Sequence, residues 1–343
     1  MRKYDLPTYE QLRDLYEAAV AFKKAKPWEN PLVPELICVE NPMDKSMGYC
    51  SIMGSGGEHY ALGVFLGDSG IHGYIELGEK ADLIPSHQML HYQNCIMCSF
   101  EDRELLTSED RKQIKEMGLS FRGKNAWPMF RRFEPGYIPW YINSEECVFL
   151  THALTQVLDV IGTVEPAKLE GLIFEGKTIL RYSNTKNGTL EWKSKEIQIP
   201  YPELLYDPVE IDDEILLFKI KKLEKRDNMS LQIDVCYTPY PVRGSRWERG
   251  HFPRLFVIAD KNNGIIVDID VYEDIDDDAD VTLNKLINLC LSNGVPKEIQ
   301  VRDDKMVAIL QDFCQKTGIN LKKVNQLRAI DEMIDEMANR AMF

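Results

Sequence analysis

The stretch RLFVIADKNNGIIVDIDVY, Arg254–Tyr272, decides how the C-terminal half is built. Arg254–Ala259 is an apolar run of strand length, and Ile265–Tyr272 is a second strand-like run. Asn262-Asn263-Gly264 between them suits the left-handed backbone of a tight turn, so the stretch predicts a β-hairpin. Downstream, the periodicity predicts a helix over about 281–292 with Gly294 beyond it, a strand over 298–302, a helix over 304–317 ending at Gly318, a strand over 319–324 and a helix over 326–341. A hairpin followed by helix–strand–helix–strand–helix predicts an α/β layer on a mixed sheet.

Upstream, residues 170–240 read as mostly strand. Ile179–Ser183 and Thr189–Glu196 flank Asn184-Thr185-Lys186-Asn187-Gly188, another hairpin signal. Leu231, Ile233, Val235 and Tyr237 alternate with polar residues. Near the N-terminus, Leu12, Leu15, Tyr16, Ala19 and Phe22 form one helical stripe, with Thr8 and Gln11 spaced as a capping box and Pro27 ending the helix. Leu36–Glu40, Gly48–Met53, Tyr60–Leu66 and Cys95–Phe100 read as strands, 69–78 as a short helix or turn, and Ser108–Met117 as a helix closed by Gly118. Asn143 and Glu146 are spaced to cap a helix whose buried stripe is Leu150, Leu154, Val157, Leu158 and Ile161. Glu165-Pro166 then breaks the pattern. The expected organisation is an α+β N-terminal domain over 1–165, then a strand-rich segment over 166–240 leading into an α/β domain over 241–343.

The 343 residues are 44% hydrophobic and 28% charged, with a net charge of −14. Residues 1–163 hold 16 basic against 23 acidic residues and 164–343 hold 25 against 32, a deficit of seven in each part. Acidity spread this evenly argues against broad non-specific binding to nucleic acid, while leaving room for a local basic groove. No early apolar run reaches the roughly 20 residues of a membrane helix, and Met1-Arg2-Lys3-Tyr4-Asp5 leads into a charged helix rather than a secretory signal. The expectation is a soluble cytoplasmic protein with no membrane partner. The eight cysteines fall mostly inside apolar runs, as reduced core residues do.

Within this acidic chain, FRGKNAWPMFRRFEPGYIPWY, Phe121–Tyr141, crowds aromatics, arginines, prolines and glycines into a segment that reads as irregular. Guanidinium groups bind phosphate or carboxylate, and aromatic faces stack on bases or cations. The functional reading is an anion or single-strand surface using Arg122, Lys124, Trp127, Arg131, Arg132 and Trp140. The competing reading is a long loop that packs by its own side chains. Val242–Arg254 is a second basic–aromatic segment, offering Arg246, Trp247 and Arg249. Together the two predict a basic–aromatic cleft between domains, taking an anionic ligand or single-stranded nucleic acid. No cofactor is firmly implied.

Gly48–Gly54, Glu58–Gly67, Ser99-Phe100-Glu101-Asp102-Arg103 and the aromatic loop resemble a group of bacterial proteins known only as domains of unknown function, over roughly residues 10–160. Arg254–Ala259, Gly294-Val295-Pro296, Ile299–Asp303 and Leu327 resemble a second such domain over about 215–335. Neither resemblance supplies a catalytic residue.

The strand–helix order of the last domain also resembles ribonuclease H-like folds. That resemblance implies a carboxylate on the first strand beside one at the end of the fourth, together holding Mg²⁺ for phosphodiester cleavage. Asp260 and Asp303 are the candidates, with Asp268 or Asp270 nearby. Only a hairpin stands where three antiparallel strands should precede the first helix, so Leu231–Tyr237 would have to supply the third. Asp260 also suits a turn, and Asp303 a helix N-cap.

His87-x3-His91-x3-Cys95-x2-Cys98 has metal-like spacing. Cys95 and Cys98, however, fall in a strand-like run that would point them to opposite faces. Gly54-Ser55-Gly56-Gly57 lacks the Lys and Ser/Thr of a phosphate-binding loop. Glu273–Asp280, with six acids in eight residues, lacks EF-hand spacing and reads as a solvated acidic loop. The leading reading is a non-enzymatic binding or interaction protein. The alternative is a metal-dependent nucleic-acid-processing enzyme.

Overall fold

Thr8 opens the first helix, α1 (Tyr9–Ala25), through the reciprocal capping box its spacing predicts. Its hydroxyl accepts from the Gln11 amide, and the Gln11 side chain accepts from the Thr8 amide. The computed structural model describes residues 5–31, 35–243 and 248–341. It divides into two units. The first comprises the chain to residue 78, 92–135 and 139–203; the second comprises 79–91, 136–138 and everything from 204 onward.

The first unit is a sheet covered on both faces. After β1 (Ile37–Glu40), β2 (Met47–Met53) and β3 (Ala61–Leu66) come α2 (Gly67–Lys80), β4 (Cys95–Glu101), α3 (Ser108–Glu116) and β5 (Trp127–Phe133). Then follow α4 (Ser144–Thr163), α5 (Pro166–Phe174), β6 (Lys177–Lys186) and β7 (Thr189–Gln198). Among the described residues the strand order is β5-β4-β3-β2-β1-β6-β7. Every pairing is antiparallel except that of β1 with β6. Alternate side chains serve opposite faces. Ile37, Cys50, Leu62 and Cys98 pack under α1 and α4 with Leu15, Phe22, Leu150 and Leu154. Cys38, Tyr49, Phe65 and Cys95 pack with Ile71 of α2.

Two expectations change here. Part of the aromatic segment is not irregular: residues 127–133 are the edge strand β5, paired with β4 over its whole length. The first unit also does not end near 165. Pro166 breaks α4 as expected, but β6 returns to pair with β1, so the hairpin of β6 and β7 completes the first sheet.

The second unit contains α6 (Glu214–Lys221), β8 (Lys225–Tyr237), β9 (Arg254–Asp260), β10 (Ile266–Tyr272), α7 (Asp278–Asn293), β11 (Val295–Val301), α8 (Asp304–Thr317), β12 (Asn320–Lys323) and α9 (Arg328–Ala341). The order is β10-β9-β8-β11-β12. The first three strands are antiparallel, β11 is parallel to β8, and β12 is parallel to β11. β8 supplies the third antiparallel strand beside the hairpin of β9 and β10. One face packs Ile233, Phe256 and Ile258 on Leu286, Ile309 and Phe313. The other packs Leu255 and Val257 on Leu327, Ile330 and Ile334. Among the described residues, no single helix is long and apolar enough to cross a membrane.

Glycines set how closely α2 lies on its neighbours. A Cβ on Gly73 would overlap the Tyr92 carbonyl oxygen, whereas one on Gly78 of the same helix would meet open space. Gly73→Ala is expected to destabilise the protein by about 3 kcal/mol through overpacking. Gly78→Ala is expected to stabilise it by about 0.5 kcal/mol through helix propensity. Urea unfolding of the pair checks both signs.

Candidate functional site

The loop before β5 is built around two polar contacts at Asn125. Asn125 takes a left-handed backbone, with φ 50°. Its amide donates to Asp102 Oδ1 at 2.7 Å, and its carbonyl accepts from Lys23 Nζ of α1. Burial lowers the Lys23 pKa from its ordinary value, and its ammonium lies 5.3 Å from the centre of the Phe100 ring. Phe121 and Trp127 meet edge-to-face at 5.9 Å, and the Arg103 guanidinium lies 5.9 Å from the Trp127 ring centre.

Two adjoining hollows result, of about 320 and 550 Å³, sharing Phe121 and Arg122. Lys23, Lys24 and Phe100 line the first; Asp102, Arg103, Glu104, Lys124 and Trp127 line the second. Five cations against two carboxylates give this groove a sign opposite to that of the chain. One of the carboxylates, Asp102, is already engaged by the Asn125 amide. Lys24, Arg103, Arg122 and Lys124 are exposed and have no carboxylate partner among the described residues. Lys23, Lys24 and Arg103 escaped the sequence reading because two lie in the first helix and one in the Ser99–Arg103 motif; only the fold joins them to the loop.

Arg131 and Arg132 are corrections. Both were expected as uncovered cations. Arg131 instead makes a two-pronged ion pair with Asp110, at 2.9 and 2.6 Å, and covers Tyr141 with its guanidinium. Arg132 Nε lies 3.2 Å from Glu146 Oε1, and its Nη1 donates to the carbonyls of Cys95 and Phe133. Trp140 is half-buried, exchanges backbone hydrogen bonds with Arg132 and packs edge-on to Tyr141. In the second unit, Arg249 Nε donates to the Ile138 carbonyl, and its guanidinium stacks on Tyr137. Arg246 and Trp247 lie outside the described residues.

The metal-like spacing does not form one centre. His87 and His91 belong to the second unit and Cys95 and Cys98 to the first, and the two thiols face opposite sides of β4. Burial pushes the Cys95 thiol up to about 12. His91 accepts from the Gly136 amide and packs against Tyr237 and Phe252. Burial and the charge of Arg254 hold its pKa down to about 3. Among the described residues, no group of three His, Cys, Asp or Glu side chains is arranged to hold a metal.

Asp260 and Asp303 are likewise not brought together. Asp260 pairs with Leu231 of β8, while Asp303 lies four residues beyond Ile299, the partner of Leu231 in β11. That register separates them by about 13 Å along the strands and two strand spacings, about 10 Å, across. Asp260 Oδ1 accepts from the Asn262 amide in its turn, and Asp303 Oδ1 caps α8 by accepting from the Met306 amide.

The carboxylate on the first strand is Asp234. Its signal was present as the polar residue between Ile233 and Val235, but it was hidden while that strand stood unassigned to the sheet. Asp234 is buried, and its Oδ2 accepts from Arg302 Nε at 2.7 Å. Arg302 Nη2 donates to Asp331 Oδ1 of α9 at 2.6 Å. Burial alone would lower the Arg302 pKa; the charges of Asp234 and Asp331 reverse that and raise it. A ribonuclease H-like centre would need these carboxylates open to Mg²⁺, and the guanidinium between them does not fit that role. A second buried carboxylate, Asp278, is met by Arg254, Lys305 and the Tyr272 hydroxyl. Burial works to raise its pKa, and the bonds from these groups leave it lowered.

Residues 13–181 match a family described as a domain of unknown function (DUF7309), and residues 216–338 match a second domain of unknown function (DUF6930). No curated protein matches the chain. Among solved structures, the catalytic core domain of HTLV-2 integrase in complex with magnesium is similar in its trimeric form. It has 15% sequence identity, covers 34% of this chain and 72% of that chain, and gives a TM-score of 0.25. The dimeric form gives the same identity and coverage with a TM-score of 0.24.

The Asp110–Arg131 pair can be tested directly. Burial works to raise the Asp110 pKa, but Arg131 and Thr107 leave it lowered from 3.8. The pair's stabilisation is therefore present above pH 3.8 and lost as pH falls through the lowered value. Asp110→Ala is expected to cost about 3 kcal/mol at pH 7 by leaving Arg131 buried and unpaired. Denaturant titrations across pH 2–7 should show the gap from wild type closing in acid.

Proposed function

We propose that the protein is a non-catalytic binding protein whose first unit takes a phosphate-bearing ligand with aromatic rings, such as single-stranded nucleic acid, in the groove around Phe121 and Arg122. The observation that carries this reading is the exposed set Lys24, Arg103, Arg122 and Lys124 beside Phe121 and Trp127. Cations track a phosphate backbone while aromatic faces stack on bases without regard to sequence. The acidity of the rest of the chain supports a confined contact of a few nucleotides. A cytoplasmic location accords with eight cysteines that are all free and buried.

Fluorescence anisotropy of a labelled oligothymidine tests the reading. Binding is expected to weaken with salt, with a slope of about −2 to −3 in log–log form for three or four phosphate contacts. Arg122→Ala with Lys124→Ala should weaken it by about tenfold or more and flatten the slope. Trp127→Ala should weaken it at all salt concentrations, by about 1–3 kcal/mol if a base stacks there. An affinity that is indifferent to both salt and these substitutions would sink the proposal.

A further inference from the structure

We infer that Arg302 is the built-in cation of the second unit, its guanidinium standing between Asp234 and Asp331 in the role a divalent metal would otherwise take. The backbone register makes this a consequence of the fold. Gln232 of β8 and Gln300 of β11 are partners in the parallel ladder. Two residues further along come Asp234, on the same face of β8 as Gln232, and Arg302, immediately past the end of β11. The glutamines bond each other side chain to side chain, and Gln232 Oε1 accepts from the Ala329 amide at the start of α9. That contact fixes the helix carrying Asp331. Asp331 then spends its second oxygen on the Leu327 amide at 3.1 Å, so each of its oxygens has a partner.

The geometry is that of a replaced ion. Two carboxylates from separate elements face one compact positive group at 2.7 and 2.6 Å. The third carboxylate of the cluster, Asp303, is turned away to cap α8. The cluster remains polar beyond this pair. Asp234 Oδ1, Arg302 Nη1 and both ring nitrogens of His87 are buried without a protein hydrogen-bond partner. The nearby cations Lys305 and Arg254 are both drawn to Asp278, each with a contact at 2.7 Å. Removing the Arg302 charge therefore leaves Asp234 and Asp331 without their cation, in an oxygen-rich setting that suits Mg²⁺ or Mn²⁺.

The test uses the full chain with Mn²⁺ as probe, read by electron paramagnetic resonance and by melting temperature. Wild type is expected to give no Mn²⁺ signal that depends on Asp234, and no change in melting at about 1 mM ion. Arg302→Met keeps an unbranched, flexible side chain but is shorter and uncharged, which leaves room for an ion between the two carboxylates. It is expected to hold one Mn²⁺ per chain and to melt about 5 °C higher with the ion than without it. Adding Asp234→Asn to that variant should abolish both effects. If Arg302→Met is unfolded in metal-free buffer, Mn²⁺ is expected to restore its folded circular dichroism, and failure to do so counts against the inference. A wild-type Mn²⁺ site lost on Asp234→Asn, or a folded Arg302→Met that takes up no ion, overturns it.

Discussion

A carboxylate removed from water must meet a cation or lose its charge, and in a chain of net charge −14 that constraint governs where the basic residues go. Asp110 takes Arg131, Asp234 and Asp331 share Arg302, and Asp278 takes Arg254 and Lys305. Each pairing joins separate elements: α3 to β5, β8 and α9 to the turn that follows β11, and β9 and α8 to α7. The ion pairs fix which element lies beside which; the apolar clusters on either side of each sheet supply the burial. Asp303 is the exception that illustrates the rule. Burial and the neighbouring charge of Asp234 raise its pKa to about 6, and its oxygen is used by a backbone amide rather than by a cation.

Once those pairs are made, the arginines that look most like a ligand surface in the sequence are spent. Arg131 and Arg132 face inward on an edge strand; Arg122 and Lys124, in the loop before it, do not. The groove is made of the cations left over, and this separates a packing role from a binding role within one short segment. The same reasoning applies to the second unit. Fold is weak warrant for function, and the guanidinium between Asp234 and Asp331 argues for a structural use of these carboxylates.

Local features were legible in the sequence and non-local pairings were not. The capping boxes at Thr8 and Asn143, the buried stripes of α1 and α4 and the hairpin of β9 and β10 each depend on residues within one turn or one loop. The parallel pairing of β1 with β6 joins Cys38 to Leu180 and carries no local mark, so the hairpin of β6 and β7 was not read as part of the first sheet. Leu231–Tyr237 reads as a strand, but the interruption between β8 and β9 left its place in the second sheet unassigned, and Asp234 was passed over with it. The partners of Arg131 and Arg132 were equally invisible, because Asp110 and Glu146 lie on helices whose approach to β5 is set by the finished fold.

The groove also has a property that charge counting does not reveal. Its loop is held from both sides: Asp102 accepts from the Asn125 amide, and Lys23 donates to the Asn125 carbonyl. With the backbone of Asn125 already in the left-handed region, the positions of Arg122 and Lys124 on either side of Gly123 are largely set before any ligand arrives. A loop ordered in advance spends less of its binding energy on becoming ordered. Lys23 contributes to this by being partly withdrawn from water, since a desolvated ammonium gains more from a carbonyl partner and from the Phe100 ring than an exposed one does. The cation that shapes the loop is therefore distinct from the cations that remain free to bind.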